Sequence, residues 1–249
     1  MATGEGSVAE AMDVAGVAAA MPDAGLRFRA AASPNRGGTC RVPGDVRGIV
    51  IHSVEGTMAS AISTFGKSGG SSAHYGIDVD GTVVAFVPEG DVAFHVAAFG
   101  NRPALNRGQP DWLPAYDGRW SSVNACTVGI ELAGHAGRPF TAAQYAALAS
   151  LCAGIATRWG FVPSRDRVVS HGSLQVDRSD PGDAFDWDAL FAMVAAGMRE
   201  AGVPGIDAPA ADCLPDGDRE VLEVVHALGA DAAGVRGWVE RLGAYEAQR

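Results

Sequence analysis

Apolar and polar positions along this chain fall into blocks that switch between strand-like and helix-like periods. Gly48-Ile49-Val50-Ile51 is a continuous, β-branched run closed by His52, which predicts a buried strand. Met58–Phe65 predicts a helix, stopped by Gly66 and the Ser-Gly-rich segment 68–72. Ser72–Val79 and Thr82–Val87 flank Asp80-Gly81, the signature of a hairpin with a tight type I′ turn. Thr127–Leu132 predicts another strand, with Glu131 set between Ile130 and Leu132. Thr141 and Gln144 form a capping box ahead of a helix running to about Trp159. Its stripe of Tyr145, Leu148, Leu151, Cys152, Ile155 and Trp159 has helical spacing and belongs to the core. Arg167–Ser170 predicts a short strand that delivers His171, and Trp187–Met198 a closing helix.

Around this regular block the chain changes character. Residues 1–44 read as an N-terminal arm, weakly helical over Val8–Met21, with an irregular entry through Pro34, Gly37, Gly38, Pro43 and Gly44. Residues 45–200 form the main domain, interrupted by a long Pro- and Gly-containing loop at 98–122. Residues 201–217 are a linker, and 218–249 predict a small helical hairpin of unassigned role.

At 249 residues and 47% apolar, one domain has ample material for a core without help from disulfides or metal. The four cysteines are scattered and contain no C-x-x-C, so they form neither a disulfide framework nor a zinc ribbon. A net charge of −10 argues against a nucleic-acid groove and against anionic membrane surfaces. Basic charge is almost entirely arginine, Lys67 being the one lysine. No apolar run is long enough to span a membrane. Glu5, Glu10 and Asp13 precede the first basic residue, Arg27, so the Ala-rich run Val14–Met21 lacks the positive flank of a secretory signal.

The chemistry concentrates in Ser170–Gly182, where His171 and Asp180 lie nine positions apart among small, polar and turn-forming residues. Pro181 biases Asp180 towards extended backbone, and Gly182 lets the chain turn at once. A catalytic zinc takes three protein ligands and keeps a fourth position for water, and His52 is the best third ligand. A lone strand-end histidine is more often packed than ligating, and Asp-Pro-Gly is more often a plain turn. Together with Glu131, however, these residues make a zinc hydrolase site, with Glu131 as general base towards an acidified water. The competing reading of Glu131 is a solvent-facing position on an edge strand.

Several segments, in order, resemble the type 2 zinc-dependent N-acetylmuramoyl-L-alanine amidases, a group related to peptidoglycan recognition proteins and phage lysozyme-amidases. They are Ile49-Val50-Ile51-His52-Ser53, Ser72–Thr82 around His74, Asp91-Val92-Ala93-Phe94-His95, Val128-Gly129-Ile130-Glu131-Leu132, and His171 with Asp180-Pro181-Gly182. The resemblance spans about residues 45–199. It implies an α/β fold, a mixed central sheet flanked by helices, with zinc in a cleft along the sheet. It further implies that His52, His171 and Asp180 hold Zn2+ and that Glu131 activates water. The family's oxyanion-stabilising lysine, two positions before the last ligand, is Arg178 here; arginine keeps the charge but is a poor proton donor. His95, Asn124 and His74 fall where the resemblance implies proximity to substrate, His74 equally as a structural histidine. In the long loop Trp112, Tyr116 and Trp120 offer stacking faces for sugar rings, or anchors for the loop itself.

The expected function is therefore hydrolysis of the amide joining N-acetylmuramic acid to L-alanine in peptidoglycan, in the setting of a phage-type endolysin. Two alternatives stand beside it: a non-catalytic peptidoglycan-binding module, and an amidase acting on soluble muropeptides in cell-wall recycling. Peptidoglycan is the expected partner, with neither nucleic acid nor membrane, and no oligomeric state follows. The expected location is synthesis in the cytoplasm without a signal peptide, the host cytoplasm if phage, with action on the wall after release.

Overall fold

The computed structural model describes residues 26–37, 41, 44–97, 103–107, 112 and 123–200. The weakly helical arm at Val8–Met21, the linker, the C-terminal hairpin, Tyr116 and Trp120 lie outside the described residues.

Eight strands and five α-helices make up the described fold. The strands are β1 (Phe28–Ala30), β2 (Arg36–Gly37), β3 (Gly48–Ser53), β4 (Tyr75–Ile77), β5 (Val83–Ala85), β6 (Val92–Ala93), β7 (Thr127–Leu132) and β8 (Val168–Ser170). The helices are α1 (Met58–Phe65), α2 (Val123–Cys126), α3 (Ala142–Trp159), α4 (His171–Leu174) and α5 (Trp187–Glu200). Six strands form one sheet in the order β1-β5-β4-β7-β3-β8, and β2 pairs with β6 in a small second one. All neighbours in the large sheet run parallel except the β4–β5 hairpin. This is the mixed, helix-flanked sheet that the family resemblance implies.

The continuous apolar run at β3 is explained by its central place, between β7 and β8, with all six residues buried. Its alternate residues face two different cores. Ile49 and Ile51 join Val128, Ile130 and Leu132 of β7 against α3 and α5. Val50 packs on the other side with Val96, Trp112, Val123 and Cys126. His52, Thr127, Gly129 and Glu131 share that second side by the two-residue period of a strand. α3 begins at the predicted capping box, Thr141 and Gln144 each accepting the other's backbone N–H, and its stripe is buried as expected.

Two local expectations are corrected. The segment 27–46 is not wholly irregular: β1 adds a parallel edge to β5, and β2 pairs with β6. The hairpin turn is not type I′, which needs positive φ at both central residues. Gly81 alone takes positive φ, at 81°, while its N–H donates to Asp78 O and Asp78 N–H donates to Thr82 O. That pattern is a three-residue loop closed by a left-handed glycine.

Candidate metal and catalytic site

The parallel strands β3 and β8 run side by side, so their C-terminal ends deliver His52 and His171 to the same edge of the sheet. His171 opens α4, whose start is capped by the Ser170 hydroxyl accepting from Ser173 N–H. The Gly172 N–H then donates to Asp180 O at 3.1 Å, tying the Asp-Pro-Gly turn to the first residues of that helix. Gly182, at φ 91°, turns the chain where expected.

This architecture brings the three predicted ligands together. His52 Nδ1 lies 3.0 Å from His171 Nδ1, and Asp180 Oδ2 is 3.3 Å from the former and 3.2 Å from the latter. Among the described residues, these three form a group whose ligand atoms all lie within 4.8 Å of one another. Four-coordinate zinc with bonds of roughly 2.0–2.1 Å sets its ligand atoms about 3.3 Å apart, close to this triangle. Burial, then the neighbouring His171, lowers the His52 pKa to about 4, leaving a neutral imidazole with a lone pair to offer. Burial alone would raise Asp180, but the His171 and His52 rings beside it hold it far below the usual carboxylate range. Two imidazole nitrogens and one carboxylate are the donor set of a catalytic zinc, so the residues fit a divalent cation.

Glu131 is the direct in-register partner of His52 across β7 and β3, and its side chain therefore leaves the sheet on the same side. The edge-strand reading does not hold, because β7 lies between β4 and β3 inside the sheet. Burial, and then the Asp180 charge, push the Glu131 carboxyl up to about 8 against the pull of Arg178. Arg178 is exposed on the turn between α4 and Asp180, with its charge felt by both Glu131 and His52. A perturbed acid, a cation and a ligand triad thus converge at one end of the central strands.

The residues assigned to substrate are placed differently. His74 is fully buried; its Nδ1 accepts from Gly129 N–H at 3.0 Å and its Nε2 donates to Asp91 O at 3.2 Å. It is a structural histidine without a free edge for a ligand. Asn124 is also buried, its Oδ1 accepting from Val96 N–H and His95 N–H while its amide donates to Val96 O. It braces the segment carrying His95 instead of facing the cleft. His95 itself is 7% exposed and sits behind His52, its Nδ1 3.0 Å from His52 Nε2. Trp112 is buried, donating from Nε1 to Asp166 O and packing under Arg167.

Gln175 escaped the sequence reading. Its Oε1 accepts from Ala97 N–H at 3.1 Å and lies 3.3 Å from His171 Nε2, fixing the ring. The available signal was its position four residues after His171, one helical turn away.

Known proteins are similar to this chain over the region that carries the site. Residues 42–183 match a family model described as N-acetylmuramoyl-L-alanine amidase. A protein named 1,6-anhydro-N-acetylmuramyl-L-alanine amidase AmpD, from Enterobacter cloacae, is 31% identical over 116 residues, covering 46% of this chain and 52% of the relative. Its namesake from Haemophilus influenzae is 32% identical over 124 residues, covering 49% of this chain and 58% of the relative. The chain spans about half the length of the curated relatives it matches. Among solved structures, a selenomethionine derivative of AmpD aligns with a TM-score of 0.51 at 25% identity, covering 68% of this chain and 94% of that one.

Proposed function

Because this chain belongs to the N-acetylmuramoyl-L-alanine amidase family, we propose that it hydrolyses the amide between N-acetylmuramic acid and L-alanine, with zinc held by His52, His171 and Asp180. The observation that carries the reading is the convergence of those three ligand atoms beside Glu131, the cross-strand partner of His52. Bound zinc supplies Lewis-acid chemistry, polarising the scissile carbonyl, acidifying water and drawing the neighbouring carboxyl into its ionised form. Glu131 takes the proton from the attacking water as general base. The water oxygen joins the carbonyl carbon, the C–N bond breaks, and the proton Glu131 holds passes to the departing amine of L-alanine. Arg178 donates to the oxyanion as charge develops there; an arginine stays protonated, so the acid role falls to Glu131.

Soluble muropeptides are the proposed substrates. The support is the 1,6-anhydro-N-acetylmuramyl specificity in the names of the curated relatives, which favours recycling over the phage-lysin setting. A non-catalytic binding module is disfavoured by the retention of all three ligands and the acid. The test is a comparison of kcat/KM for a soluble 1,6-anhydro-muropeptide with the rate of L-alanine amino-terminus release from intact peptidoglycan. A preference of tenfold or more for the soluble substrate supports recycling. Faster release from the intact polymer returns the lysin reading.

A further inference from the structure

The face of β7 that looks into the cleft carries three residues, Thr127, Gly129 and Glu131. The metal ligands and the acid account for one of them. Over the other two lies His95, a buried imidazole that the mechanism above does not use. A Cβ at Gly129 would stand 2.5–2.8 Å from the His95 ring, so only a glycine leaves the strand open for an imidazole to lie directly on it. The backbone of His95 and Val96 is clamped from behind by the Asn124 side chain. Ring and backbone are therefore both fixed by residues that contribute nothing else to the site.

The hydrogen bonds through this ring have one consistent direction. The Val123 carbonyl only accepts, so the Thr127 hydroxyl donates to it, at 2.7 Å. With its single proton committed there, Thr127 Oγ1 accepts from His95 Nε2–H, 3.3 Å away. His95 lies against two further imidazoles, those of His52 and His74. As a neutral ring with its proton on Nε2, it presents a bare Nδ1 to His52 Nε2 at 3.0 Å, which must then carry a proton and donate. His52 Nδ1 is left without a proton, pointing at His171 Nδ1 and Asp180 Oδ2.

We propose that His95 is a positioning residue for the metal: through the Val123–Thr127–His95 relay it fixes His52 in the tautomer whose Nδ1 lone pair faces the other two ligands. Outer-shell partners of this kind change metal affinity by about 10–100-fold when removed. The inference rests on the zinc reading above, and its test separates the two. Zinc Kd is measured on the full chain by competition with a chromophoric chelator, alongside 15N-edited NMR of the histidine rings in the zinc-loaded protein. His95→Phe is expected to weaken zinc about 10–100-fold, with Thr127→Val moving in the same direction by a smaller factor. His95→Gln, whose amide oxygen accepts in place of Nδ1, is expected to restore affinity to within about threefold, and the His52 ring to show a protonated Nε2 and a metal-bound Nδ1. Thr127→Val removes one oxygen at constant shape, so it reports on the relay even where His95→Phe fails to fold. Wild-type protein that takes up no zinc overturns the metal reading. One equivalent bound by wild type, with His95→Phe or Thr127→Val matching it within about twofold, or with His52 bound through Nε2, overturns the relay alone.

Discussion

Replacing Glu131 by glutamine separates the cost of the acid to the fold from its use in chemistry. In the metal-free protein the Glu131 carboxyl titrates at about 8, raised first by burial and then by Asp180. A carboxyl in the unfolded chain titrates near 4.3, so between those values the folded state binds more protons and stability falls as pH rises. His52 works in the opposite sense. Its folded pKa of about 4 lies below the ordinary 6.5, so its contribution grows with pH and is complete by about pH 6.5. The Glu131 slope therefore stands clear between pH 6.5 and 8. At 1.36 kcal/mol per unit, and with titration already under way near 8, the loss over that window is up to about 1.5 kcal/mol. Urea unfolding of chelator-treated protein at half-unit pH steps measures it. Wild type is expected to lose stability across the window relative to Glu131→Gln, whose amide does not titrate. Parallel pH profiles for the two proteins would refute the raised pKa, and with it the argument that the pocket tunes this acid. With zinc bound, the same variant is expected to retain the metal while amide hydrolysis falls about 10²–10⁴-fold.

Other outcomes follow from the same geometry. Arg178→Ala is expected to lower kcat about 10²–10³-fold, whereas Arg178→Lys keeps most of the rate, as steady-state kinetics would record. Glu89 accepts from Tyr75 Oη, Arg158 Nη2 and Trp159 Nε1 at 2.7, 2.7 and 2.5 Å. Glu89→Ala strands those donors and is expected to destabilise the fold by about 2–3 kcal/mol in denaturant titrations, without altering zinc stoichiometry. Leu151, fully buried between α3 and the sheet, is expected to cost about 2–5 kcal/mol on truncation to alanine, again read by denaturation.

Much of the fold was legible because local signals and tertiary burial agree. The capping box at Thr141 and Gln144, the run into His52 and the acid in β7 each predict both an element and its place. The ligand triad was legible because His52 and His171 close strand-like segments and Asp180 sits in an Asp-Pro-Gly turn. What was hidden depends on contacts between residues far apart in the chain. β1 is a three-residue exposed edge, whose one sheet neighbour among the described residues, β5, lies more than fifty residues on. His74, His95 and Asn124 look alike in sequence as polar residues near a cleft. Their roles differ because Gly129, Thr127 and Val96 take up their hydrogen-bonding atoms or press on their rings, and no periodicity announces those partners.

The central claim, that His52, His171 and Asp180 hold a zinc which Glu131 uses to cut an amide, is tested most directly by one paired measurement. Zinc content of the purified protein is determined, and L-alanine amino termini released from a muropeptide are counted with and without chelator. The account predicts one equivalent of zinc, release that stops when the metal is removed and returns when it is restored, and no new reducing sugar ends. Release that continues at full rate in zinc-free protein, or a protein that takes up no zinc, would contradict it.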